Sequence, residues 1–114
     1  MFFSHESKMM EDSRRTNDKV FTEDFQPDNL QLYYNEWAAR GGYDKDLNSD
    51  YYTGPEVVGK TVCRFFAEIQ RKRTKILDIA AGTGRVAEEL RKYGFTDIDA
   101  LDPSIEMLNI AEKK

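Results

Sequence analysis

Two acids and two glycines between residues 78 and 102 are the part of this sequence with chemical content. Asp78 stands four residues before Gly82-Thr83-Gly84, and Asp102 lies 20 residues after Gly82. Glycine lacks Cβ, so a turn built on Gly82 and Gly84 can take unusual backbone angles and let a ligand come close. The helix that such a turn opens has free N–H groups and a partial positive charge, which favour an anionic ligand group. An acid at the place of Asp102 can accept hydrogen bonds from ribose hydroxyls. Standing before Pro103, it can also be the N-cap of the next helix, and one carboxylate can do both. Gly82-Thr83-Gly84-Arg85-Val86-Ala87 fits G-x-G-x-x-[GA], the dinucleotide fingerprint. Asp78 speaks against a pyrophosphate there, because like charges repel, and for a ligand that carries a cation.

Those residues need a strand, a turn, a helix and a second strand to hold them. Lys75-Ile-Leu-Asp-Ile-Ala80 reads as a buried strand. Val86, Leu90 and Tyr93 mark one face of the helix after the turn, and Gly94 suits the position past its end. Asp97 to Leu101 reads as the second strand, and Asp102-Pro103-Ser104 opens a helix carrying Ile105, Leu108 and Ala111. Strand, crossover helix and parallel strand make a βαβ unit, so the fold class is α/β. Upstream, Leu30, Tyr33, Tyr34 and Trp37 recur at i, i+3, i+4 and i+7, a short helix ended by Gly41-Gly42 and followed by a loop with Tyr43-Asp44. These aromatics suit a core; some could line a ligand pocket. Gly54-Pro55 opens a helix whose face is Val58, Val62, Phe65, Phe66 and Ile69 and which Arg71-Lys72-Arg73 closes. With no aromatic interleaved, that basic run reads as a helix ending rather than a nucleic-acid grip. Residues 1–28 are polar and charged without periodicity, a disordered leader. A second reading makes Val20-Phe21-Thr22-Glu23-Asp24-Phe25 a partner-binding stretch.

Composition excludes several classes. The 114 residues carry a net charge of −4 and 39% hydrophobic residues, enough for one small core. A mild acidic excess argues against nucleic-acid binding driven by net charge. Cys63 is the only cysteine and His5 the only histidine, so an internal disulfide, a structural zinc site and a Ser-His-Asp or Cys-His group all lack their residues. No apolar run approaches the ~18 residues of a membrane span, and the N-terminus has no signal-type apolar region. The expectation is a cytoplasmic protein with no membrane partner.

S-adenosylmethionine carries an ammonium, a sulfonium, a carboxylate and a ribose, and no phosphate. It suits Asp78, the glycine turn and Asp102 better than NAD does. Asp78-Ile-Ala80-Ala-Gly82-Thr-Gly84 resembles the first motif of class I S-adenosylmethionine-dependent methyltransferases, D-x-[GA]-x-G-x-G, and Leu101-Asp102-Pro-Ser-Ile-Glu-Met107-Leu108 resembles the next. Tyr33-Tyr34-Asn-Glu-Trp37-Ala38, Tyr43-Asp44, Tyr52-Thr53-Gly54-Pro55 and Gly94-Phe95 are similar to the methyltransferase-like proteins named after the Williams–Beuren syndrome region. The resemblance runs from about Leu30 to Lys114. It implies a Rossmann-like fold. It places Gly82 and Gly84 at the methionine portion of the cofactor, Asp78 near its amino group, Asp102 at the ribose and Met107 near the adenine, with Tyr34 and Tyr43 closing over the methionine end. Met107 read on its own is a core residue, and Thr83 a turn residue. Ala80 departs from the glycine that many members carry and narrows the room.

The family fold has seven strands, and two are visible here. Residues 29–114 are therefore read as the N-terminal, cofactor-binding part of a methyltransferase domain, truncated after the second strand and its helix. The acceptor is unknown, no residue is a credible catalytic base or nucleophile, and independent catalysis is doubtful at this length. A bare sheet edge would allow self-association. The rival readings are a non-catalytic product that retains the βαβ unit, and an NAD-dependent oxidoreductase fragment.

Overall fold

The structure is a computed structural model that describes residues 27–50 and 52–114. The expected leader over 1–28, with its acidic-aromatic stretch, falls outside the described residues except for the last two positions, which begin the first helix. The elements are α1 (Pro27–Ala39), α2 (Gly42–Asp46), α3 (Gly54–Val62), α4 (Glu68–Arg71), β1 (Lys75–Ile79), α5 (Arg85–Lys92), β2 (Asp97–Leu101) and α6 (Ile105–Glu112). β1 and β2 pair in parallel, with Lys75 opposite Asp97 and Ile79 opposite Leu101. The fold is mixed α/β around a two-stranded parallel sheet, as the strand-helix-strand pattern implies. Among the described residues no helix is long and apolar enough to cross a membrane.

α1 ends as the glycine pair requires. Gly41 takes the left-handed conformation at φ 70°, and its N–H reaches the Ala38 carbonyl. The residues after it do not form the expected loop. Gly42 to Asp46 coil into a five-residue helix, and Trp37 Nε1 donates to Asp46 Oδ2 at 2.9 Å, which folds α2 back on α1. α1 also packs on α6, and α3 on α5. The core lies where these meet: Trp37, Leu90, Phe95 and Met107 are fully buried.

Two expectations about burial need correction. The helix expected from Gly54 to Arg73 is broken. α3 stops at Val62, the chain turns through residues 63–66, and α4 restarts after an extended Ala67. The break sets Phe66 edge-on to Phe95, with ring centroids 5.9 Å apart. It also lets Arg71 lie over the Phe95 ring and donate to the carbonyls of Phe66 and Tyr93. The apolar face then loses its continuity, and Phe65 and Ile69 stay 77% and 79% exposed. β1 is likewise buried on one face only. Ile76 and Asp78 share the half-buried face, whereas Leu77, Ile79 and their neighbour Leu101 are 59%, 69% and 56% exposed. The run was apolar enough for two covered faces. Among the described residues helices cover one.

Candidate functional site

The glycine turn sits where the sequence places it, between β1 and α5. Gly82 and Gly84 have φ of 56° and 80°, and Gly84 is the residue that enters α5. Only a residue without Cβ takes such angles at little cost. A Cβ on Gly84 would lie 3.0 Å from the Ala111 side chain, so this glycine also admits α6. Ala80 is left-handed as well, at φ 61°, and is the only non-glycine residue of positive φ among those described. Alanine in this conformation carries a backbone strain of ~1–2 kcal/mol, beyond the narrowing of space expected from the sequence.

Asp102 ties the turn to the second strand. Its Oδ2 accepts from the Gly82 N–H and its Oδ1 from the Ser104 N–H, each at 2.8 Å. The helix cap itself is Ser104, buried, whose hydroxyl oxygen accepts from the Met107 N–H. The N-cap reading of Asp102 is corrected accordingly: its carboxylate bridges two loops, and the cap falls two residues later. Ser104 also donates to Asn35 on α1.

Asp78 reaches the C-terminal end of β1 on the half-buried face. Its Oδ2 is shielded from solvent and has no hydrogen-bond partner among the described residues. Burial, and after it the nearby Asp102 carboxylate, push its pKa above the usual carboxylate value. Among the described residues neither Asp78 nor Asp102 has a cation within ion-pair distance. A third acid stands close by. Thr83, 1% exposed in the turn, donates through Oγ1 to Asp44 of α2. Asp44 also pairs with Lys114 at 3.0 Å, and Lys114 reaches Glu88 of α5 at 3.2 Å.

An aromatic cluster covers this acidic corner. The Tyr43 ring meets Trp37 edge-on at 4.9 Å, and Tyr34 lies 6.4 Å from Tyr43 and 6.1 Å from Trp37. The Tyr43 hydroxyl oxygen would stand 3.2 Å from a Cβ built on Gly82. Burial, then the neighbouring Tyr34, Tyr52, Asp102 and Asp44, push its phenol up to about 12. Burial and Asp102 raise Tyr34 as well.

The sequence-predicted residues therefore divide. Asp78, Ala80, Gly82, Thr83, Gly84 and Asp102 converge at the C-terminal end of the strands, with Tyr34 and Tyr43 beside them. Met107 is fully buried behind the Ser104 cap, a placement that suits its core reading. Sequence reasoning gave no role to Asp44, Asn35, Ser104 or Lys114. Ser104 had a signal, because a serine before Ile105 is a standard cap. The Asp44–Thr83 contact spans 39 residues and leaves no local trace. Among the described residues no group of three or more His, Cys, Asp or Glu side chains is arranged to hold a metal.

No family model matches the chain, and no solved structure matches it. Among curated proteins it is similar to methyltransferase-like protein 27 of Homo sapiens, with 34% identity over 80 residues, 70% of this chain and 31% of that protein. The chain thus spans about a third of the length of the curated relative it matches. The motifs around Asp78 and Asp102 and this identity agree: the chain is a relative of the methyltransferase-like proteins.

Proposed function

We propose that the chain is the cofactor-binding part of a cytoplasmic S-adenosylmethionine-dependent methyltransferase with a Rossmann-like fold, acting on an acceptor that its residues do not name. The observation that carries this reading is the shielded, unpartnered oxygen of Asp78 beside a glycine turn. A buried acceptor without a donor is costly, and a ligand ammonium supplies both donor and countercharge. A pyrophosphate would add negative charge beside Asp78 and Asp102, which disfavours the nicotinamide alternative.

The residues fit the cofactor in chemical type. Asp78 would hold the amino group, and the backbone of Gly82, Thr83 and Gly84 at the start of α5 would receive the methionine carboxylate. Asp102 would take the ribose hydroxyls with the lone pairs not used by Gly82 and Ser104. When bound, S-adenosylmethionine supplies an activated methyl group, so the chain's task is to bind and orient rather than to move protons. A site lined by acids and glycines suits that task.

Calorimetric titration of the 114-residue chain with S-adenosylmethionine, S-adenosylhomocysteine and NADH tests the proposal. Binding of the first two, with Asp78→Asn weakening it, is the expected result. Tighter binding of NADH, or heat from none of the three, would overturn it for this chain.

A further inference from the structure

We infer that Tyr43 is a gate on this site, standing over Gly82 where a ligand must approach and held there by a strap that α2 forms across the glycine turn. The inference rests on the cofactor reading above and differs from the expectation that Tyr43 merely covers a bound methionine end. A glycine is needed at position 82 to admit a close neighbour, and the neighbour found there is the Tyr43 hydroxyl, 3.2 Å from the place of a Cβ.

Three contacts hold the strap. The Thr83 hydroxyl of the turn donates to Asp44. Lys114, anchored also on Glu88, pairs with the other oxygen of Asp44 at 3.0 Å. Trp37 Nε1 donates to Asp46 at 2.9 Å, and the Tyr43 ring rests edge-on against Trp37. The ends of α2 are looser. Gly41 is left-handed, and a Cβ there would meet nothing within 4 Å, so the chain can pivot at Gly41; Gly42, the first residue of α2, already lies against Trp37, where a Cβ would stand 2.9 Å from its ring. Past Leu47, the side-chain hydrogen bonds of Asn48 go to its near neighbours Lys45 and Asp50. A five-residue helix fastened through Asp44 and Asp46 and free at a glycine pivot can lift as a unit. Lifting it would carry Tyr43 off the turn.

A gate that must open before binding lowers the apparent association rate by the open fraction, and loosening the strap raises that fraction. Asp44→Ala removes the Thr83 and Lys114 contacts while leaving Asp78, Asp102 and the glycines untouched. A net hydrogen bond lost corresponds to roughly fivefold more open state. Two readouts follow. Without ligand, hydrogen exchange of the 42–47 amides should be about fivefold faster in Asp44→Ala, with exchange in α5 unchanged. With ligand, stopped-flow emission of Trp37, the only tryptophan, should report association of S-adenosylhomocysteine about fivefold faster. Tyr43→Phe, which keeps the ring on Trp37 and withdraws the atom nearest Gly82, should also bind faster. Unchanged exchange over 42–47, or slower association in either variant, would overturn the gate. A wild-type chain that binds no cofactor removes the gate together with the cofactor reading. Binding at an unchanged rate in both variants removes the gate alone.

Discussion

Replacing Asp102 tests whether one carboxylate serves both fold and ligand. Its two oxygens accept from the N–H groups of Gly82 and Ser104, each at 2.8 Å. A hydrogen bond to a charged group contributes ~1.5–3 kcal/mol. Asp102 is half-buried, so water can reach part of what alanine would leave open. Asp102→Ala should therefore cost about 2–4 kcal/mol, and Asp102→Asn, which keeps one carbonyl acceptor, about 1–2 kcal/mol. At 4–8 °C per kcal/mol for a domain of this size, the alanine variant should melt roughly 8–32 °C below the wild type. Thermal unfolding followed by far-ultraviolet circular dichroism reads this directly. An alanine variant melting within ~2 °C of the wild type would refute the bridging role. The same ledger governs the binding test. Affinity for S-adenosylmethionine must be compared below the variant's transition, where a further loss of about 1–3 kcal/mol is expected from the ribose contact. Unchanged affinity in folded Asp102→Asn and Asp102→Ala would sink the ribose role and leave the structural one.

Ala80→Gly should stabilise the chain by about 0.5–1 kcal/mol, the ~1–2 kcal/mol relief of a left-handed alanine less the added freedom of the unfolded glycine; a lower denaturant midpoint would contradict the strain. Ser104→Ala removes the α6 cap and the bond to Asn35 from a fully buried position, so urea titration should find ~1–2 kcal/mol lost. Asp78 makes stability depend on pH. Its carboxyl is held above the usual 3.8 by burial and by Asp102. A raised acid favours the folded state below the unfolded value and opposes it as pH rises through the folded value. Asp78→Asn should therefore be more stable than the wild type at pH 7, with the gap closing as pH falls through the raised folded value and gone below the unfolded 3.8. A gap of the same size at both pH values would remove that linkage.

Much of the site was legible in sequence because its parts are local. The Gly82-Thr83-Gly84 turn, the strands at 75–79 and 97–101 and the acid ending the second are each specified within a few residues, and all four stand where expected. What stayed hidden is set by contacts distant in sequence. The coil expected after Gly41 became α2 because Trp37 found Asp46 across the pivot. The single helix expected to run from Gly54 to Arg73 broke because Phe66 and Arg71 found Phe95. Helical periodicity at Val58, Val62, Phe65, Phe66 and Ile69 could not signal this, since period reports a face and not whether anything lies against it.

Where local rules are violated, the violations collect around one turn. Ala80 sits at an angle that glycine prefers, and among the described residues Asp78 holds a carboxyl oxygen without a donor and lies near the Asp102 carboxylate. The strained Ala80 and the unpartnered Asp78 oxygen each raise the free energy of the folded chain, and neither improves its core. A sequence selected for stability would place glycine at 80 and a neutral side chain at 78. Strain and unpaired charge persist where a ligand offsets them. Negative charge that only a cation can offset is what the proposed cofactor would meet. The expected stability gain of Asp78→Asn and its expected loss of cofactor affinity are thus two readings of the same carboxylate.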